Sequence, residues 1–202
     1  MKPMLGLVIL PIAAAVSLVA QAPSGQAQQP KGQMPDLGRH TQQDDRVPPF
    51  DFDMYFIGRW TFEWDMPEGP LGPPGRVEGT TTYTGGGGTY EAVTEATGPQ
   101  GKFGVRERIQ YQKDEKTLTR DVVDSRGFKY TQRGTIGGDL GGFYTIYFES
   151  TPFMVSGKPV RLKHTMRLTA PLAHRVSITV SEGDGAFRNY GTPWWRKASP
   201  GQ

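Results

Sequence analysis

The 202-residue chain contains no cysteine, which excludes disulfides, thiolate catalysis, iron–sulfur clusters and cysteine-ligated zinc. Histidine is scarce, at three residues, and no His-Glu-x-x-His, Gly-x-Ser-x-Gly or Walker A pattern occurs; Gly157-Lys158 is followed by Pro159 rather than by Ser or Thr. A charge surplus is also missing. The 23 Lys+Arg against 20 Asp+Glu leave +3, too balanced for the clustered positive footprint of a nucleic-acid binder, so no nucleic-acid partner is expected. Helix-length stretches free of breakers are few, because 27 glycines and 17 prolines make up roughly one residue in five, about double ordinary usage. The length suits one domain with appendages.

What is present begins with an export signal over residues 1–27. Lys2 supplies the positive start, and Leu5 to Ala20 form an uncharged apolar run shorter than the ~20 residues a spanning helix needs. Small residues stand at signal-peptidase spacing as Ala20-Gln21-Ala22 or as Gly25-Gln26-Ala27, and the first would place Pro23 directly after the cut. The mature form is expected to be periplasmic or extracellular, without an integral membrane span. Residues 28–49 are Gln- and Pro-rich with few aliphatic side chains, and read as a disordered leader. His40 within it has no second histidine near it and reads as solvated.

The domain is expected over residues 50–198. Phe50 to Ile57 are dense in aromatics and predict a short helical turn that plugs one end. From Gly58 the hydrophobic period changes to two: Trp60, Phe62, Trp64 and Met66 alternate with Arg59, Thr61, Glu63 and Asp65. The pattern recurs over 59–66, 76–84, 89–97, 103–113, 117–124, 128–135, 142–150, 160–169, 175–182 and 188–197. Turn-forming segments such as GPQG and SRG, and the longer PEGPLGPPG and TPFMVSGKP, separate the runs. Short connections without crossover helices require antiparallel pairing. The fold class is therefore all-β, an antiparallel up-and-down β-barrel of about ten strands; a sandwich is the alternative. A barrel removes the exposed edges.

An aromatic-rich turn running into Gly58-Arg59-Trp60 resembles the Gly-x-Trp entry of lipocalins and related calycin barrels. Arg196, in Trp194-Trp195-Arg196-Lys197, is similar to the arginine those barrels pack across the tryptophan. With FIGRWTFEW, a Gly/Pro loop, GTTTY and a GP-x-G turn, the segment from Phe50 to Lys197 resembles lipocalin-like secreted bacterial proteins of uncharacterised function. The resemblance implies a barrel with an interior cavity for a small ligand, and carries no catalytic residue. A weaker resemblance to nitrobindin-like barrels would imply heme, but their extended first-strand signature and C-terminal histidine motif are not matched. No cofactor or metal is expected.

Alternation also assigns faces. Leu162, His164, Met166 and Leu168 share one side of their strand, as do Phe103, Val105, Glu107, Ile109 and Tyr111 of theirs, and Phe128, Tyr130 and Gln132 of a third. For 142–150 the pattern leaves two faces open, Phe143, Thr145, Tyr147 and Glu149 or Tyr144, Ile146 and Phe148. An inward His164 and Glu107 need polar partners or a wet cavity. One reading is a ligand pocket walled by Trp60, Trp64, Tyr111 and Tyr130 and oriented by Glu107 and His164; the other is a filled core in which the two polar groups satisfy one another or backbone. The first gives a binder of a small hydrophobic molecule. Its competitors are an enzyme using His164 and Glu107 as acid and base, and an envelope interaction protein touching partners through its leader and Trp194-Trp195. The pairs Glu63/Asp65 and Glu91/Glu95 and the stripe Arg161, Lys163, Arg167 with Arg175 read as solvated outer faces.

Overall fold

The computed structural model describes residues 46–199. The expected export signal, and the expected leader apart from its last four residues, lie outside the described residues. The expected helical turn is α1 (Phe52–Phe56), capped by Asp51, whose carboxylate accepts from the Met54 N–H at 3.1 Å. Strands β1 (Gly58–Met66), β2 (Gly75–Gly86), β3 (Thr89–Gly98), β4 (Gly101–Gln112), β5 (Thr117–Asp124), β6 (Lys129–Gly138) and β7 (Tyr144–Ser150) follow as successive antiparallel neighbours. After the short β8 (Phe153–Val155) come β9 (Lys158–Ala170), β10 (Ala173–Glu182), the two-residue β11 (Arg188–Asn189) and β12 (Trp194–Lys197). Closure is made by β12, which pairs with β10 through His174↔Trp195 and with β1 through Trp60↔Lys197. Ten strands form this closed antiparallel barrel, with β8 and β11 as additions at its rim. The expected fold class is the observed one.

Two runs behave differently from the sequence expectation. The segment expected as one strand over 188–197 is broken in two. Gly191 adopts φ +97 and Pro193 has no N–H to give a ladder, so β11 stays on the end of β10 while β12 crosses to β1. The same glycine lets the Trp64 indole lie against the chain, donating from Nε1 to the Tyr190 carbonyl at 3.1 Å; a Cβ at 191 would come within 2.4 Å of that nitrogen. Likewise, residues 151–159 are not a plain loop. Phe153–Val155 folds back on Lys158–Val160 about Ser156 and Gly157, both at positive φ, as a two-residue hairpin turn requires. In β7 the undecided face is settled: Tyr144, Ile146 and Phe148 point inward, and Tyr147 is 57% exposed.

One end of the barrel is filled by α1 and by Phe50, two residues before it. Phe52 stacks on Tyr90 of β3, Phe56 meets Tyr83 of β2, and Phe50 sits between Tyr111 of β4 and Tyr144 of β7. Trp60 is fully buried beneath them, and its Nε1 donates to the Phe56 carbonyl at 2.7 Å, fixing the helix to the first strand. The cation over the Trp60 ring is Lys197, 5.6 Å from the centroid, and not Arg196. Register explains the shift by one: Lys197 stands opposite Trp60, whereas Arg196 stands opposite Thr61 on the outer face. The leader's last residues also reach this end, where the Tyr144 hydroxyl donates to the Pro48 carbonyl at 3.0 Å.

Barrel packing includes one close aromatic–glycine pair. Gly134 stands opposite Phe148, and a Cβ there would fall 2.5 Å from the ring. Gly134→Ala is expected to lose about 1–3 kcal/mol by displacing that ring. Gly137→Ala, on the same strand with no atom nearer than 3.9 Å to the added carbon, is expected to stay within about 0.5 kcal/mol of the parent. Urea unfolding midpoints of the two variants check this.

Candidate functional site

The half of the barrel away from α1 is not filled. It holds a cavity of about 150 Å³, bounded by inward side chains including Phe62 and Trp64 of β1, Phe103 of β4, Tyr130 of β6 and Ile178 of β10. Leu71, from the Gly/Pro-rich connection between β1 and β2, is buried and lines the cavity from the rim. Its carbonyl accepts from Arg126 at 3.2 Å. That arginine is itself held by a fork onto Asp124, with Nε and Nη2 at 3.0 and 2.6 Å from the two carboxylate oxygens. Its guanidinium lies 3.8 Å from the centre of the Phe103 ring.

Toward the middle of the barrel the cavity meets a layer of polar side chains. Arg120 of β5 is only 7% exposed, its side chain turned inward between Leu118 and Val122. Its Nη1 is 3.3 Å from Glu107 Oε2 of β4, an ion pair whose angle does not make a hydrogen bond, and its Nη2 donates to the Gln132 side-chain oxygen on β6. The same Nη2 is 3.2 Å from His164 Nδ1 of β9, and the plane of the guanidinium rests 4.1 Å from the Phe148 ring centre. Arginine has donors only, so the chemistry of its neighbours is fixed. Gln132 must turn its oxygen to Arg120, which leaves its amide N–H₂ as a donor. His164 must accept at Nδ1, which places its proton on Nε2. Burial first, and the Arg120 charge second, lower the His164 pKa to about 3, so the ring is neutral. Burial and then the Glu107 carboxylate raise the phenols of Tyr83 and Tyr130, which remain hydroxyls.

Of the six residues expected at a ligand site, Trp64, Glu107, Tyr130 and His164 line this cavity. Trp60 and Tyr111 do not. Both point inward but stand at the filled end, where the Tyr111 hydroxyl donates to the Phe50 carbonyl at 2.9 Å. Glu107 and His164 do not touch each other directly; Arg120 stands between them. Sequence reasoning missed Arg120, for which the alternation Leu118-x-Arg120-x-Val122 was the available signal, and gave Gln132 a face but no role. Trp195, adjacent to Trp194, turns inward to stack on Phe62 at 4.5 Å, while Trp194 is 44% exposed with Arg175 over its ring at 4.6 Å. The carboxylates Glu63 and Asp65 stay outside and meet Arg76. His174 is buried among Phe56, Trp60 and Trp195, neither ring nitrogen has a hydrogen-bond partner among the described residues, and burial lowers its pKa to about 3. Among the described residues no group of three or more His, Asp or Glu side chains is placed to hold a metal ion.

No family model matches the chain. No curated protein matches it either. Among solved structures it is similar to the crystal structure of Rv2717c from M. tuberculosis, with a TM-score of 0.59 at 10% identity over 71% of this chain and 93% of that one. That likeness is one of fold, a β-barrel. Lower scores are found with a de novo designed fluorescence-activating β-barrel (TM-score 0.41, 16% identity, 73% of this chain and 99% of that one) and with EF1p2_mFAP2b bound to DFHBI (0.39, 12%, 71% and 94%).

Two stability predictions arise here. Arg120→Met leaves Glu107 a buried charge without its partner and is expected to cost about 3–5 kcal/mol; adding Glu107→Gln should recover part of that loss in a double-mutant cycle. The second concerns pH. The unfolded histidines titrate near the ordinary value of about 6.5, whereas native His164 and His174 resist protonation down to about 3. Between these values the unfolded chain binds more protons, so stability is full above about pH 6.5 and falls with pH through the window by about 1.4 kcal/mol per unit for each histidine. His174→Phe should reduce that slope by one histidine's share, read from urea unfolding at pH 7 and pH 4.5.

Proposed function

We propose that the protein is a binding protein for a small, largely apolar molecule held inside the barrel. The observation that carries this reading is the cavity of about 150 Å³, walled by aromatic and aliphatic side chains and bordered by a polar layer. Apolar walls with a few convergent polar groups are the usual make-up of a ligand site. Its volume is that of an apolar cavity known to take benzene, about 150 Å³, so the fit is to a single ring or a short chain. The lipocalin-like Gly58-Arg59-Trp60 entry supports the same reading. With residues 1–27 read as an export signal, binding would take place in the periplasm or outside the cell.

Acid–base catalysis by His164 is poorly supported. A histidine held neutral down to about pH 3 is a weak base at neutral pH, and Nδ1, its only lone pair, faces Arg120.

Trp64 and Trp195 line the cavity, so occupancy is readable in intrinsic fluorescence. Titration with toluene, phenol or indole is expected to give a saturable change. Val105→Phe, which puts a ring into the cavity, should abolish it while leaving the circular dichroism of the barrel in place. Absence of any saturable response across such a set, with water alone in the cavity of a crystal structure, would overturn the proposal.

A further inference from the structure

The polar layer carries more information than the cavity's volume. Three of its buried atoms have no hydrogen-bond partner among the described residues: Glu107 Oε2, Arg120 Nε and Gln132 Nε2. The first accepts and the other two donate. They come from three adjacent strands, and Arg120 and Gln132 are direct cross-strand partners. His164 adds a further donor, the Nε2–H left free when Nδ1 accepts from Arg120. Unpaired buried polar groups are costly, and a barrel that keeps several of them in one layer beside a cavity points to a partner of definite chemistry.

Resting on the cavity-binding reading above, we infer that the ligand is an uncharged planar ring bearing a carbonyl next to an N–H, a lactam or a ring carboxamide. Its polar edge meets Glu107, Arg120, Gln132 and His164. The carbonyl oxygen takes the donors, and the N–H serves the Glu107 carboxylate. Charge selects the neutral form. Glu107 and Arg120 cancel and His164 is uncharged, so an ionised ligand would bring an unbalanced charge into a low-dielectric interior. Shape selects the ring, since Phe62, Trp64 and Trp195 are among the aromatic side chains that line a space holding only one. A bare hydrocarbon of the same size fills the volume and leaves the polar edge unsatisfied.

The test compares ligands of one size and differing edges, by titration of the purified protein with 2-pyridone, benzamide, N-methyl-2-pyridone, toluene and benzoate. Expected are affinities for 2-pyridone and benzamide at least ten-fold above those for toluene and benzoate, and a loss of about ten-fold on N-methylation, which removes the hydrogen offered to Glu107. Gln132→Met should erase the preference for 2-pyridone while leaving toluene binding, which also reports that the barrel is folded; if that variant fails to fold, the N-methyl comparison decides. Toluene binding as tightly as 2-pyridone, or benzoate binding more tightly, overturns the lactam inference and leaves the cavity-binding reading intact. Equal affinity of the N-methyl compound overturns the contact to Glu107. Failure of every probe, toluene included, overturns the cavity reading and this inference with it.

Discussion

Arg120 is a permanent positive charge inside a barrel, and its demands organise the interior around it. A guanidinium offers only donors and does not lose its proton, so each neighbour must accept from it, balance it or lend it a π face. Glu107 balances it, Gln132 and His164 accept, and Phe148 supplies the face. Four other strands thereby have an interior residue dictated by one charge on β5. The dependence continues outward: Phe148 reaches its place because position 134 opposite has no Cβ, so a glycine in the wall helps support an ion pair in the cavity.

The two ends of the barrel meet different requirements. At the α1 end the interior is closed by rings, and a five-residue helix, far too short to be stable by itself, is held by its Asp51 cap, by Trp60 and by the aromatics it covers. At the other end the covering element is a loop rich in glycine and proline, which pairs with itself only at Gly69 and Gly72 and is tied by Arg126 at the Leu71 carbonyl and by Arg188 at the Glu68 carbonyl. A well-packed end resists opening, and a loop fastened at few points yields at lower cost. Of the two ends, the Leu71 side, with Arg126 and Arg188 as its fastenings, is therefore the less firmly held.

Period-two alternation made the fold legible, and it placed Glu107 and His164 inward because both stand in long runs with apolar neighbours two residues away. The pattern says which way a side chain points and nothing about how far along the barrel it lies. Trp60 and Tyr111 are inward, but α1 occupies their end, and only the packing of Phe50, Phe52 and Phe56 shows this. Arg120 was obscured for a different reason. In Thr117 to Asp124 both faces carry polar or charged residues, so the choice of an inward arginine over an inward aspartate at 121 needs the cross-strand partner Gln132 and the nearby Glu107. The break of the last strand was written in Gly191 and Pro193, and the inward positions change phase across it, from Tyr190 before it to Trp195 after it, with Trp194 turned outward.

Stability alone does not account for the polar layer. Exchanging a buried ion pair for well-packed apolar side chains is often neutral or favourable, since desolvation offsets the attraction. The barrel itself makes the alternative visible: nearer α1, the corresponding interior positions are taken by Ile109, Leu118 and Ile146, all fully buried and needing no partners. Continuing that pattern across Glu107, Arg120 and Gln132 would remove three unpaired polar atoms as well as the ion pair. A chain selected for folding only would have little reason to keep them. Their position beside the cavity is what the proposed ligand would account for, because a ligand that pairs those atoms recovers in the complex what the barrel gives up without it.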